Sequence, residues 1–197
     1  MKIAALVLAA GAGRRAGGPK ALLRLSGRTF LERAVEAFRH PYAARVYAVL
    51  GHEAERVRRE AGPLGGVSIL ENPAYETGML SSVLVGLEAA ERDGMDAVLM
   101  HPVDHPFIDP TTLARVVDGL QGGGVIVVPS WDRRRGHPAG FARAAWPALR
   151  TASPDEGARA VLARHPEWVV HVEGDPKCLV GVNTPEDYER IRRERER

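Results

Sequence analysis

Short apolar runs alternate with amphipathic stretches along this chain, a rhythm that reads as βαβ units around a mostly parallel sheet. The runs Ile3–Leu8, Arg45–Leu50, Val67–Leu70, Ala97–Met100, Val125–Val128 and Trp168–Val172 are brief and rich in Val, Leu and Ile. Strands covered on both faces have that composition. Helical periodicity fills the gaps. Phe30, Ala34, Ala37 and Phe38 share one face of a helix beginning near Thr29. Leu80, Val83, Leu84 and Leu87 repeat at i, i+3, i+4 and i+7, with Ser81 and Ser82 in the first turn. Further helices are predicted over Pro110–Gly119, Glu156–Arg164 and Pro185–Arg195, and the closing run RRERER reads as a solvated helix end. The segment Pro129–Phe141 breaks the rhythm with arginines, prolines and glycines; it predicts an irregular loop, either at an active site or merely on the surface.

The length of 197 residues suits one domain over 1–197. A net charge of +2 gives no electrostatic footprint for nucleic acid or a membrane surface. Lys2 and the apolar run Ile3–Ala10 faintly resemble a signal peptide, but the run is short and passes straight into glycines and two arginines, so a buried strand is expected. No stretch approaches the ~18 apolar residues of a membrane span. Cys178 is the single cysteine and has no internal partner for a disulfide, which suits a reducing, cytoplasmic setting. Lysine is rare: only Lys2, Lys20 and Lys177 occur, and Lys20 sits beside a glycine-rich loop.

In open α/β sheets ligands bind beyond the carboxyl ends of the strands. Three polar or glycine-rich segments follow predicted strands, after Leu8, Met100 and Val128. The first is LAAGAGRRAGGPK, Leu8–Lys20. Its glycines allow close backbone approach to a phosphate, consecutive N–H groups can form an anion nest, and Arg15 and Lys20 add charge. Gly11, Gly13 and Ala16 fit a GxGxxA dinucleotide fingerprint, yet Gly17, Gly18 and Pro19 interrupt where its helix belongs. The acidic ribose ligand expected at the end of the second strand is also missing. A P-loop fails because no Gly-Lys-Ser/Thr follows. An open triphosphate-gripping loop without its own helix is the third reading, and a plain turn with solvated arginines the bland one.

This loop resembles the signature of the Rossmann-like nucleotidyltransferases typified by the molybdenum cofactor guanylyl- and cytidylyltransferases, Leu-x-x-Gly-x-x-x-Arg-Met-Gly followed by Lys. Leu8, Gly11, Arg15, Gly17 and Lys20 match it, and Ala16 replaces Met. ENPAYETGMLSSVLVGL, Glu71–Leu87, resembles the nucleotide-recognition segment of the cytidylyltransferase branch. Backbone groups at Gly78 and Met79 with the Ser82 hydroxyl are candidates for base or ribose contacts; the alternative is that Ser81 and Ser82 simply open a helix. HPVDHPFIDP, His101–Pro110, places Asp104 where the family has its metal-binding aspartate. His101 and His105 raise a transition-metal alternative, and Asp109 reads as a helix cap.

GVNTPEDYERI, Gly181–Ile191, resembles the closing family motif. Thr184, Pro185 and Asp187 read as a capped helix start. Asn183 falls at the family's second metal position. The cytidylyltransferase branch carries Asp there and again two residues earlier, where this chain has Gly181. RGHPAGF, Arg135–Phe141, resembles a segment facing the acceptor, which makes Arg135 and His137 acceptor-binding candidates; Arg133, Arg134 and Arg135 read equally as a solvated loop.

The resemblance implies an α/β fold, a Rossmann-like three-layer sandwich of the nucleotide-diphospho-sugar transferase type. It implies a Mg²⁺-dependent nucleotidyltransferase with Arg15, Lys20 and Asp104 as catalytic residues. Leu8, Ala9, Ala10, Gly11, Gly13, Arg15, Lys20, Gly78, Met79 and Ser82 would bind the nucleotide, and Asp104 and Asn183 the metal. The implied partners are an NTP (CTP, or GTP as the alternative), molybdopterin or another small phosphorylated acceptor, and a molybdoenzyme receiving the product. No nucleic acid or membrane is expected. Outside this class stand a nicotinamide-dependent oxidoreductase and a non-catalytic nucleotide sensor.

Overall fold

A computed structural model of the chain describes residues 1–39, 41–62, 64–154 and 156–195. The chain opens with β1 (Ile3–Ala9), a short hairpin of β2 (Arg24–Leu25) and β3 (Arg28–Thr29), and α1 (Phe30–Ala37). Next come β4 (Arg45–Leu50), α2 (Ala54–Glu60), β5 (Val67–Glu71), α3 (Met79–Arg92), β6 (Ala97–Pro102) and α4 (Pro110–Gln121). The last part holds β7 (Ile126–Trp131), β8 (Arg134–Arg135), β9 (Ala139–Ala142), α5 (Trp146–Arg150), α6 (Gly157–Arg164), β10 (Val169–Glu173) and α7 (Pro185–Arg195).

Every residue of β1 is buried, because it runs between two parallel neighbours, β4 and β6, with helices on both faces. The sheet order is β10-β7-β9-β6-β1-β4-β5, with β8 paired to β7. All pairings in this sheet are parallel except those made by β8 and β9. Side chains alternate along β1 with the two-residue period of a strand. Ala5, Val7 and Ala9 pack with Phe30, Val35, Leu113 and Leu120 of α1 and α4. Ala4, Leu6 and Leu8 pack with Val83 and Leu87 of α3 and Trp146 of α5. The result is a three-layer α/β/α sandwich with a mostly parallel sheet, as the alternating pattern implies. No helix among the described residues is long and apolar enough to cross a membrane.

The predicted helix starts have clear local causes. Thr29 and Glu32 form a capping box: Glu32 N donates to Thr29 Oγ1 at 3.1 Å, and Thr29 N to Glu32 Oε2 at 2.6 Å. Asp109 caps α4 through Thr112 N at 2.7 Å, with Pro110 at the first helical position. Thr184 and Asp187 cap α7 reciprocally, at 3.1 and 3.2 Å. Residues 196–197 of the charged terminal run lie outside the described residues.

The structure corrects the sequence reading in three places. The segment Pro129–Phe141 is not irregular: β7 continues to Trp131, turns through Asp132 and Arg133 at φ 47° and 60°, pairs with β8, and leads into β9. β9 lies antiparallel between β6 and β7. Of its sequence AGFA only Phe141 favours a strand, so its position is dictated by the sheet around it. The helices α2 and α5 are also absent from the sequence reading; at seven and five residues they are too short to show a periodicity. The β2–β3 hairpin, with two residues per strand, gave no alternating signal.

Candidate functional site

The loop between β1 and β2 begins where the chain leaves the centre of the sheet at its carboxyl edge. Gly13 is left-handed (φ 59°), and its carbonyl accepts from Ala16 N at 2.8 Å and Gly18 N at 3.2 Å. That closes Gly13–Gly18 into a tight turn instead of a helix start. Among the described residues, no acceptor pairs with the backbone N–H of Gly11, Ala12 or Gly13. Arg14 and Arg15 are exposed and make no ion pair within the described residues. Unpaired N–H groups and free guanidinium groups in one loop suit a polyphosphate, whose oxygens accept from both.

Two other strand ends meet this loop. Val103 N donates to Leu8 O at 3.0 Å, and Val182 N to Asp104 O at 2.9 Å, so the turn after β6 is tied to β1 on one side and to the 181–183 segment on the other. Lys20 Nζ reaches across, 2.7 Å from Asp104 Oδ2 and 2.8 Å from Asn183 Oδ1. Residues 84 and 163 positions away thus converge on one ammonium.

A cleft of about 350 Å³ opens beside this cluster. Of the residues expected to bind nucleotide, Leu8, Ala10, Gly11, Gly13, Arg15 and Lys20 line it from the β1 side. Gly78, Met79 and Ser82 line it from the start of α3, and Asp104 and Asn183 close it beside Lys20. Ala9 does not face it; its side chain belongs to the core on the α1 side. Arg14 and Tyr75 also line the cleft and went unselected. Arg14 carries the same signal as its neighbour Arg15, whereas Tyr75 carries none that a sequence alone displays.

The two oxygens facing Lys20 Nζ test the metal assignment. Both are hard, both point at one cation, and one is charged. Among the described residues no group of three or more His, Cys, Asp or Glu side chains could hold a metal ion. A site offering two oxygens fits Mg²⁺ or Mn²⁺, which keep waters and share substrate phosphates as ligands, better than an all-protein cage. The same finding lends no support to the transition-metal alternative at His101 and His105.

Those histidines have another role, and His137 shares it. The rings of His105 and His137 lie 4.6 Å apart between centroids, with His101 about equally far from both, at 6.4 and 6.5 Å. His101 Nε2 donates to His105 O at 2.9 Å, and the Nδ1 atoms of all three are buried without a partner. Burial, reinforced by neighbouring rings, holds His101 well below the usual imidazole range and His137 down to about 3. His105 is lowered by burial too. His137 does not line the cleft; it packs as a buried ring against His105. Arg135 is also absent from the cleft lining and sits exposed on β8. The same packing accounts for the departure at 181: a Cβ on Gly181 would lie 3.1 Å from His105 Nε2. A side chain there would require the His105 ring to give by a few tenths of an ångström.

The buried histidines give stability a sign with pH. Unfolded, each titrates near 6.5, while His101 and His137 stay neutral in the fold far below that. The unfolded chain binds more protons below pH 6.5, so their contribution is complete above that value and is lost as pH falls toward the folded values. Urea unfolding is expected to show stability about 2–3 kcal/mol lower at pH 5.5 than at pH 7.5 from these two groups. An unchanged free energy over that interval would mean that the rings are not held neutral.

Residues 5–169 match the model of the MobA-like NTP transferase domain. The chain belongs to the MobA-like NTP transferase family. As a member it is a nucleotidyltransferase, and its sheet matches solved relatives over nearly its whole length. Rv0371c from Mycobacterium tuberculosis H37Rv superposes with a TM-score of 0.84 at 28% identity, over 98% of this chain and 99% of that one. A complex of the same protein with manganese superposes at 0.78 and 27% identity, covering 98% and 99% of the two chains. The 2-C-methyl-D-erythritol 4-phosphate cytidylyltransferase of Thermus thermophilus gives a TM-score of 0.73 at 29% identity over 100% of both chains.

Curated relatives differ in what their names say. The nicotine blue oxidoreductase of Paenarthrobacter nicotinovorans is 37% identical over 176 residues, 85% of this chain and 84% of that protein. The molybdenum cofactor guanylyltransferase of Sinorhizobium fredii is 30% identical over 202 residues, 94% and 88% respectively. The bifunctional enzyme IspD/IspF of Nitrobacter winogradskyi is 35% identical over 131 residues, 64% of this chain but only 32% of its own length.

Proposed function

We propose that this protein transfers a nucleoside monophosphate from an NTP, with CTP preferred over GTP, to a phosphorylated small molecule, with molybdopterin the leading acceptor, and releases pyrophosphate. The observation that carries this reading is the convergence of Lys20, Asp104 and Asn183 beside a loop of unpaired N–H groups and free arginines. The Gly11–Lys20 loop would hold the triphosphate, and Arg15 and Lys20 would stabilise charge on the departing pyrophosphate. Asp104 and Asn183 would hold a Mg²⁺ ion, which when bound supplies charge neutralisation at the phosphates. The acceptor's phosphate oxygen forms the new bond to the α-phosphorus in line, as the bond to the pyrophosphate oxygen breaks and its electron pair leaves with pyrophosphate. An ionised phosphate is already nucleophilic, so no side chain need act as general base. Positioning and electrostatics supply the catalysis.

The 37% identity to a relative named as an oxidoreductase favours one second reading, a nicotinamide-dependent oxidoreductase. Two features stand against it. The glycine loop leads into a turn and a hairpin before any α-helix begins at Phe30. The carboxylate near the end of β4, Glu53, is paired with Arg56 at 2.8 Å and His52 at 3.2 Å and does not line the cleft. The deciding experiment is pyrophosphate release from CTP, GTP, ATP and UTP with Mg²⁺, with and without molybdopterin. Release from one NTP that requires molybdopterin is expected. Tight NADH binding without Mg²⁺, and no release from any NTP, would instead establish the oxidoreductase.

A further inference from the structure

Behind the cleft wall formed by the start of α3 lies Asn72, at the end of β5 and only 2% exposed. Its backbone N–H and both ends of its side-chain amide are engaged. Its N–H donates to Leu50 O at 2.8 Å, which fixes the backbone to β4. Its side-chain Oδ1 accepts from Ala74 N at 3.0 Å. A backbone N–H can only donate, so that contact identifies the oxygen of the amide and leaves Nδ2 facing the helix. Nδ2 then directs its two hydrogens to two hydroxyl oxygens, Ser81 Oγ at 2.8 Å and Ser82 Oγ at 2.9 Å.

This fixes the polarity of the next group along. Ser81 passes its proton on to Gly78 O at 2.8 Å or Ala74 O at 3.1 Å. Ser82 is 3% exposed and lines the cleft, and it donates to no acceptor among the described residues. Its oxygen is already an acceptor for Asn72, so its proton is the free end of the chain Ala74 N–H, Asn72, Ser82. The neighbouring start of α3 has no side-chain cap, so its first N–H groups are donors as well.

We propose that Asn72 is a positioning residue that holds the Ser82 hydroxyl as a hydrogen-bond donor aimed at an acceptor atom on the nucleotide's base. This wall of the cleft would then read acceptor edges, such as a ring nitrogen or carbonyl oxygen. The inference rests on the nucleotide-binding reading above. Burial gives the arrangement its force, since a wrongly oriented polar group that cannot reach water is costly to leave unpaired.

The near-isosteric variant Asn72→Asp tests it. An ionised carboxylate only accepts, so Ala74 N keeps its partner while Ser82 turns its proton inward and presents lone pairs to the ligand. Binding of CTP, GTP and inorganic tripolyphosphate is measured calorimetrically for wild type, Asn72→Asp, Ser82→Ala and the double variant. For the preferred NTP a loss of at least tenfold is expected in each single variant, with the double variant weaker than Ser82→Ala by no more than the charge shift that tripolyphosphate reports. Tripolyphosphate carries no base, so its affinity should be unchanged by Ser82→Ala and shift alike, through added charge alone, in the two proteins that carry Asn72→Asp. Losses that multiply in the double variant beyond that charge shift, or wild-type NTP affinity in Asn72→Asp, overturn the proposal. Failure of the wild type to bind any NTP overturns the nucleotide reading itself. Should Asn72→Asp not fold, Asn72→Ala completes the cycle: it frees the Ser82 hydroxyl, so a several-fold loss that vanishes in the Ser82→Ala background is expected, and an equal loss in both backgrounds defeats the idea.

Discussion

Asp104→Ala is expected to lower the rate of pyrophosphate release on the order of 10³-fold while leaving the fold intact. Asp104 is the one carboxylate lining the cleft among the described residues. Without it, Lys20 loses the partner 2.7 Å away, and Asn183 alone faces the cation position. The fold does not depend on that side chain: the Asp104 carbonyl, which any residue retains, accepts from Val182 N. The Lys20–Asp104 pair is itself partly open to solvent, at 17% and 22% exposure, so its loss costs stability only about 1 kcal/mol or less. A large kinetic effect with a small thermal one separates chemistry from scaffolding. Asp104→Asn, which keeps an oxygen but removes the charge, should fall between. Turnover near wild type in Asp104→Ala would remove this residue from the mechanism.

Gly13→Ala is expected to weaken NTP binding by roughly 100-fold, about 2.7 kcal/mol. At φ 59° an alanine bears the strain of a left-handed residue, about 1–2 kcal/mol. Its Cβ would also clash with Gly18 O, at a separation of 1.8 Å, and that is a backbone atom that no rotamer change can move. The turn must open, breaking the bonds from Ala16 N and Gly18 N to Gly13 O that present the preceding N–H groups. A Cβ on Gly11 meets nothing within 4 Å, so Gly11→Ala should leave the turn itself unchanged. Titrating both variants with Mg²⁺ and CTP, and following their melting, decides the matter: equal affinities in wild type and Gly13→Ala would mean that the loop's shape does not matter for binding.

Much of this site is legible from the residues because its parts sit at strand ends, where a hydrophobic run stops and a short polar motif begins. β1, β4, β5, β6, β7 and β10 are announced by short apolar runs, although the edge strands β5 and β10 stay partly exposed, and the loops holding Lys20 and Asp104 follow two of them. The caps at Thr29, Asp109 and Thr184 are equally visible, since each works within four residues of chain. β9 is not: Ala139, Gly140, Phe141 and Ala142 form a strand because they fit between β6 and β7. His137 illustrates the same limit. A histidine in an arginine-rich stretch reads as a phosphate ligand, but chain reversal through β8 turns it inward against His105.

The sequence by itself determined the layered α/β architecture, the strand-end segments after Leu8 and Met100 that line the cleft, and the identity of the charged groups within them. These depend on local periodicity, capping and residue type, which act over a few residues. The tertiary structure alone decided that Lys20 bridges Asp104 and Asn183, that Arg14 stands free beside Arg15, and that three histidines form a neutral buried group. It alone placed Asn72 behind Ser82. Hydrogen bonds and desolvation depend on distances of a few ångströms between residues that are far apart in the chain, and only the packed sheet and its helices fix those distances.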